Sequence, residues 1–252
     1  MGTLIRLIGS QFTNPDLPLA QIPYGGIRSG LLGAYHLRYS MDMCRDLSGN
    51  GNHPQVRGSV NFEGSFIKTG DGKNGFTTPI PHNDMQQLTF CSIIRRPIQA
   101  SASYGFGVNT YGVDGSTGGV NIMGNNVSSA RHQVHIVDPN DPDNVSSLVK
   151  DYPTVGQNEW VAAIVTVDAE VGEVKGYFPK ISETPYLANF STPIVHSTVN
   201  PNVLIGYSES TSNCAMDNAY AAIFDRALTP EEVATQYASM MRYAEAVGLG
   251  TV

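Results

Sequence analysis

The chain has 252 residues and a formal net charge of −7 at pH 7, and only 15% of its residues are charged. Nucleic acid and anionic membrane surfaces are not expected as partners, because both attract proteins through basic surfaces. No run approaches the roughly 18 consecutive apolar residues of a membrane span, so membrane insertion is not expected either.

The cysteine content predicts neither a zinc site nor a disulfide framework. Cys44, Cys91 and Cys214 are far apart, odd in number and without a CxxC pair. Each lies in or beside an apolar segment, so we expect buried free thiols. Residues 1–9, MGTLIRLIG, contain one arginine and too short an apolar stretch for a secretory signal.

Residues 1–29 form a Pro- and Gly-rich segment ahead of the main domain. A strand is expected at residues 3–8, followed by irregular chain around Asn14–Pro18 and Ile22–Gly26. We predict an N-terminal arm over residues 1–29 and one β domain over residues 30–252. The arm is either an extra edge strand and loop packed on the same domain, or an arm that docks on another subunit.

Short apolar or alternating segments separated by turn residues predict an antiparallel β-sandwich rather than an α/β fold. Asp138–Ser147 and Pro185–Pro193 are predicted as irregular connections, because they are rich in proline and polar residues. The predicted strands are Leu31–Leu37, parts of Gln55–Phe66, Gln87–Arg95, short pieces of Ser103–Asn126, Arg131–Val137, Trp160–Val167, Val174–Phe178, Val203–Ile205 and Tyr220–Phe224.

One amphipathic helix is predicted near the C-terminus. Thr229 can cap it, Pro230 suits its first position, and Glu232 stands three residues after Thr229, as a capping box requires. Apolar residues then recur at helical spacing from Val233 to Ala244, and Gly248 marks the end.

Three sequence blocks carry a family resemblance. GLLGAYHL…RDLSGNGNH lies within residues 30–53, EWVAAIVTVD at residues 159–168, and LIGYSES…MDNAYAAIFDRALTPEEVATQY at residues 204–237. In this order they resemble concanavalin A-like lectin/glucanase domains of the laminin-G-like group. The resemblance implies an all-β, antiparallel jelly-roll β-sandwich with a short C-terminal helix, in which Trp160 is a packing residue. The family turn that follows the Trp strand is replaced by KGYFPK at residues 175–180, so this edge is expected to be remodelled.

Catalysis is not expected. Catalytic relatives commonly carry an E-x-D-x-x-E run, which this chain lacks. Glu170 and Glu173 come nearest, but they flank Gly172 in a predicted turn and are expected to be solvated.

Calcium is the one metal that the sequence suggests. Asp46, Asn50 and Asn52 offer oxygen ligands in a tight Gly/Asn turn. The alternative is an Asx turn that holds its own backbone. A second oxygen-rich stretch, Asp138–Asp143, lacks the EF-hand pattern. His132 and His135 are expected on opposite faces of a strand, which makes them poor joint ligands.

Saccharide binding needs an aromatic platform with polar partners on loops. Either of two groups could supply one. The candidate ligand-binding residues are Tyr104, Asn109, Tyr111 and Asp114 in the Gly-rich region, and Tyr207 and Glu209 after the Val203–Ile205 strand. The alternative for all six is ordinary loop or core packing.

The resemblance, the missing acidic run and the missing secretory signal favour a non-enzymatic, lectin-like structural protein of a phage-like virion, made in the host cytoplasm. Its role would be assembly, surface decoration or attachment to a host glycan. Its expected partners are other virion proteins or further copies of itself through the N-terminal arm, and a cell-surface glycan. The alternatives are a free extracellular carbohydrate-binding lectin and, less favoured, a glycoside hydrolase.

Overall fold

The computed structural model describes residues 22–70, 72–98, 104–111, 118–125, 128–197, 201–209 and 214–252, without the side chain of Pro142. Within them the chain forms antiparallel strands, a short 3-10 helix at Met41–Cys44 and an α-helix, α1, at Pro230–Ala246. The strands are β1 Leu31–His36, β2 Gln55–Arg57, β3 Asn61–Phe62, β4 Ile67–Thr69, β5 Gly75–Pro81, β6 Gln87–Arg95, β7 Gly105–Asn109, β8 Val120–Gly124, β9 Arg131–Asp138, β10 Asp141–Asp151, β11 Trp160–Asp168, β12 Glu173–Tyr177, β13 Tyr186–Asn189, β14 Asn202–Ile205 and β15 Met216–Phe224.

The strands build two facing sheets, which confirms the predicted all-β sandwich. Sheet A has the order β13-β12-β11-β6-β15-β4-β3, with β1 also paired to β15, and sheet B has the order β10-β9-β8-β7-β14-β5-β2. Strands distant in the chain lie side by side, as β6 and β15 do over seven paired positions. Strands β11 and β12 pair as a hairpin around the turn predicted at Gly172.

Two hydrophobic layers hold the molecule together. Between the sheets lie buried side chains that include Phe76, Phe90, Val165 and Ile223. A second cluster lies between sheet A and α1. Sheet A is therefore buried on both faces, which explains why its central strands are continuous apolar runs rather than alternating ones.

The start of α1 follows the predicted capping box. The Glu232 amide donates to the Thr229 hydroxyl, and the Thr229 amide donates to the Glu232 carboxylate at 3.0 Å. Arg226 donates two further hydrogen bonds to the same carboxylate, at 2.8 and 2.6 Å. These contacts, that of Arg226 first, lower the pKa of Glu232 to about 2.

A buried glutamine ties the described part of the predicted arm to the sandwich. Gln236 of α1 is fully buried. Its Oε1 accepts hydrogen bonds from the Tyr24 hydroxyl at 2.9 Å and the Ile27 amide at 3.1 Å, and its Nε2 donates to the Tyr220 hydroxyl at 2.8 Å. Residues 22–29 therefore lie against α1 and sheet A, while residues 1–21, including the strand expected at residues 3–8, lie outside the described residues.

Two segments predicted as irregular are strands, and both lie at sheet edges. Strand β10 occupies most of Asp138–Ser147 and continues to Asp151, while β13 occupies part of Pro185–Pro193. Edge strands tolerate proline and polar side chains, because the backbone on one side of the strand forms no hydrogen bonds with a neighbouring strand. Both predictions were wrong, because an exposed edge strand can have the same proline and polar content as a loop.

Several smaller expectations can be compared with the structure. The three cysteines are buried thiols, as predicted. Trp160 packs under α1, with its ring centroid 5.3 Å from that of Phe66 and 4.7 Å from the Arg95 guanidinium carbon. In the described part of the chain, no helix has the length and apolar character needed to cross a membrane.

Candidate functional site

The structure brings five of the six predicted ligand-binding residues into one region of sheet B. Tyr104 and Asn109 belong to β7 or its start, and Tyr207 and Glu209 follow the neighbouring strand β14. The Glu209 amide donates to the Tyr111 carbonyl at 3.4 Å. The sixth residue, Asp114, lies outside the described residues.

Asn109 and Tyr207 are buried and make hydrogen bonds within the protein. Asn109 is fully buried, and its Nδ2 donates to the carbonyls of Gly107 and Tyr207 while its Oδ1 accepts from the Tyr111 amide. The Tyr207 ring is also buried, and its hydroxyl lies 2.7 Å from that of Thr77. These contacts favour the packing alternative for both side chains.

The other three residues of this region remain at least partly exposed. The Tyr104 ring lies 4.9 Å from the Arg131 guanidinium carbon, and Tyr111 lies against Phe106. Glu209 forms an ion pair with Lys73 at 2.6 Å. Among the described residues of this region, each of these three side chains already contacts a protein partner.

The predicted calcium turn is closed by its own hydrogen bonds. One carboxylate oxygen of Asp46 accepts from the amides of Ala34 and Ser48, and the other accepts from the Ser48 hydroxyl and the Asn52 amide. The Asn50 and Asn52 side-chain amides donate to backbone carbonyls, Asn52 to Leu32 at 2.8 Å. This geometry favours the Asx-turn alternative. Within the described ranges, no group of three or more His, Cys, Asp or Glu side chains could hold a metal ion.

A groove with a volume of about 440 Å³ opens at one side of the sandwich, where the edge strands β10 and β13 end sheets B and A. The sequence analysis did not select its residues, because Pro185–Pro193 was predicted as irregular and residues 150–154 and 181–184 were assigned to no element. The only sequence feature that marks the groove is a tyrosine next to a proline in each of its two walls: Tyr152 before Pro153 and Tyr186 after Pro185. The lining residues are Lys150, Asp151, Tyr152, Pro153, Thr154, Ile181, Ser182, Thr184, Pro185 and Tyr186.

Packed, tilted aromatic rings form the inner wall of the groove, behind its lining residues Tyr152 and Tyr186. The Tyr152 and Phe178 ring centroids are 3.9 Å apart, and the His132 centroid is 5.3 Å from that of Tyr186. The Tyr152 hydroxyl lies 3.2 Å from His132 Nδ1, whereas His132 Nε2 has no hydrogen-bond partner. Burial, followed by the charges of Lys150 and Arg131, lowers the pKa of His132 to about 3, so this histidine is neutral at physiological pH.

Both polar and apolar groups line the rest of the groove. The Lys150 ammonium lies 5.4 Å from the Tyr186 ring centroid. The Ser182 hydroxyl donates to the Thr184 carbonyl at 2.8 Å and accepts from the Thr184 amide, so the turn before β13 is held in place. A half-buried aromatic ring with hydroxyls and one ammonium around it can accept the apolar face of a small polar ligand.

A larger concavity of about 550 Å³ differs in chemistry. Its lining includes the carboxylates of Asp84, Glu170 and Asp225 and the amides of Gln86 and Gln87, but no aromatic ring. It offers hydrogen-bond donors and acceptors without an aromatic surface for stacking. The Tyr152–Tyr186 groove is therefore the better candidate for a binding site.

No protein-family model matches the chain, and no curated protein matches it. Solved structures do. The binding domain of botulinum neurotoxin DC in complex with SialylT matches with a TM-score of 0.61 at 13% identity, over 85% of this chain and 52% of that chain. The binding domain of Paraclostridial Mosquitocidal Protein 1 matches with a TM-score of 0.59 at 15% identity, over 84% of this chain and 52% of that one.

A third structure, Trypanosoma rangeli sialidase, matches with a TM-score of 0.58 at 11% identity, over 89% of this chain and 34% of that chain. This chain therefore spans about half the length of the two toxin structures and a third of the sialidase. At identities this low the likeness establishes the fold alone. The chain has the lectin-like, jelly-roll β-sandwich fold that the sequence blocks predicted.

Proposed function

We propose that this protein is a non-enzymatic, lectin-like binding module that holds a saccharide in the groove between β10 and β13. The observation that carries the proposal is the half-buried Tyr186 ring at a groove lined with serine and threonine hydroxyls. Sugars combine an apolar face with many hydroxyls, so they suit a ring with polar neighbours.

The rigidity of the inner wall supports this proposal. Tyr186 packs against His132, which is fully buried and contacts the Tyr152 hydroxyl. Because these rings are held by the core, little side-chain freedom remains to be lost when a ligand binds. A preformed site of this kind suits reversible attachment.

Substitution of Tyr186 tests the site directly. We expect Tyr186→Ala to weaken binding of glycans identified on an array at least tenfold, measured by isothermal titration calorimetry. Leu187→Ala is the matched control, because Leu187 is an exposed residue of the same strand that does not line the groove. Equal affinities for Tyr186→Ala and the parent protein would refute the groove as the binding site.

The setting that we propose is the surface of a phage-like particle, where the module decorates the virion or attaches it to a host glycan. The sequence blocks and the missing acidic catalytic run support this setting. Mass spectrometry of purified particles from the producing strain tests it, and we expect the chain among the particle proteins. Its recovery only as free protein in the culture medium would instead favour the free lectin.

A further inference from the structure

The lining of the Tyr152–Tyr186 groove carries one cation, Lys150, and one carboxylate, Asp151, in a chain with a net charge of −7. Lys150 is exposed and is the only cationic side chain among the groove's described lining residues. Its Nζ lies 5.4 Å from the Tyr186 ring centroid, and no described carboxylate lies within ion-pair distance of it. An ammonium in this position is available to an incoming anion.

The acidic residue beside Lys150 does not neutralise it. Asp151 pairs with Arg131 across the strands, and Lys150 pairs with His132, so the two side chains project to opposite faces of β10. The Asp151 carboxylate accepts from Asn125 Nδ2 at 2.6 Å and lies 3.5 Å from Arg131 Nη1. Although Asp151 also lines the groove, its carboxylate is engaged by Asn125 and Arg131 and not by Lys150.

We propose that the groove prefers a saccharide that bears a carboxylate, with the sugar ring against Tyr186 and the carboxylate against the Lys150 ammonium. This inference rests on the proposed function and narrows its ligand class. A charge-assisted hydrogen bond from an ammonium to a carboxylate is stronger than one between neutral groups. A local cation is also needed here, because the acidic surface as a whole repels anions.

Lys150 has a competing explanation. Lysines on edge strands, including those that point inward, prevent the strand from pairing with another chain. Under that explanation Lys150→Gln would promote association of the protein and would not change ligand preference. Light scattering coupled to size-exclusion chromatography reports the association, and a binding experiment reports the preference.

Two pairs of glycans, each with one acidic and one neutral member, separate the contribution of the carboxylate to binding from that of the rest of the sugar. The pairs are sialyllactose with lactose, and trigalacturonate with its carboxyl-reduced form. For at least one pair we expect the parent protein to bind the acidic member at least tenfold more tightly. Raising sodium chloride from 50 to 500 mM should weaken binding of that member, because exposed charges are screened.

Variants then assign the preference to Lys150. We expect Lys150→Gln to abolish the preference for the acidic member and Lys150→Arg to keep it. Lys68→Gln, on an exposed lysine of β4, should leave both affinities unchanged. If Lys150→Gln self-associates, the probe pairs and salt series on the parent protein still decide the question.

The outcomes are distinguishable. Equal binding of the acidic and neutral members, or an acid preference that survives in Lys150→Gln, overturns this inference and leaves the saccharide module in place. Binding of no glycan, on the array or among the probes, overturns the proposed function and the inference with it.

Discussion

Replacing Asp46 with Ala removes the acceptor at the centre of the turn that follows β1. Four donors lose their partner: the amides of Ala34, Ser48 and Asn52, at 3.1, 2.9 and 2.9 Å, and the Ser48 hydroxyl at 2.7 Å. The Ala34 amide belongs to a residue with no exposed surface, whereas the Asn52 amide lies in a half-buried part of the turn that water can reach.

The expected loss follows from this difference in burial. A buried donor left without a partner costs about 1–3 kcal/mol, and each hydrogen bond to a charged group contributes about 1.5–3 kcal/mol where water does not replace it. We therefore expect Asp46→Ala to lower the free energy of unfolding by about 3 kcal/mol. For a domain of this size the corresponding decrease in Tm is about 6–12 °C.

Differential scanning calorimetry in EDTA and in calcium chloride tests both the magnitude and the cause. Asp42→Ala is the matched control, because its exposed ion pair with Arg45 contributes less than about 1 kcal/mol. We expect the loss in Asp46→Ala to be the same in both buffers. A Tm of the parent protein that rises with calcium, together with an Asp46→Ala variant that does not respond, would refute this reasoning and restore the calcium site.

Three further changes test other parts of the structure. Burial, first among the causes, lowers the pKa of His36 and His132 to about 3 and that of His135 to about 4. The unfolded chain therefore binds more protons below pH 6.5, and stability should fall as the pH drops from 7 to 5, by up to about 2 kcal/mol per histidine. Urea unfolding measures this loss, and constant stability over that range would contradict it. Thr229→Ala should cost about 1 kcal/mol through loss of the helix cap, and a change in unfolding free energy below a few tenths would count against that role. Gly176→Ala should lower the free energy of unfolding by about 1–3 kcal/mol and weaken glycan binding, because the added methyl group overlaps the His132 ring and lies 2.7 Å from the Tyr152 hydroxyl. Unchanged stability and affinity would show that the inner wall of the groove can adjust.

The sequence determined features whose signal is local. Thr229, Pro230 and Glu232 predict the start of α1, because a capping box depends only on residues within one helical turn. The buried strands β11 and β15 are predicted by their apolar composition, and the turn between β11 and β12 by its glycine. From these elements and the family blocks, the sandwich and its C-terminal helix could be predicted.

The candidate site could not be predicted in the same way. Asn109 and Tyr207 look like loop residues with ligand-binding chemistry, but the pairing of β7 with β14 buries them and satisfies their polar atoms. Gln236 looks like a polar helix residue, but it is buried against Tyr220 and the segment at residues 22–27.

The groove shows the same dependence on tertiary structure. Lys150 and Tyr186 are 36 positions apart in the chain and belong to different sheets. They meet because both sheets end at the same side of the sandwich, and neither edge strand has the apolar alternation that marks a buried strand. Local patterns determine which segments become strands or helix, whereas the order of strands in each sheet decides which side chains share a surface.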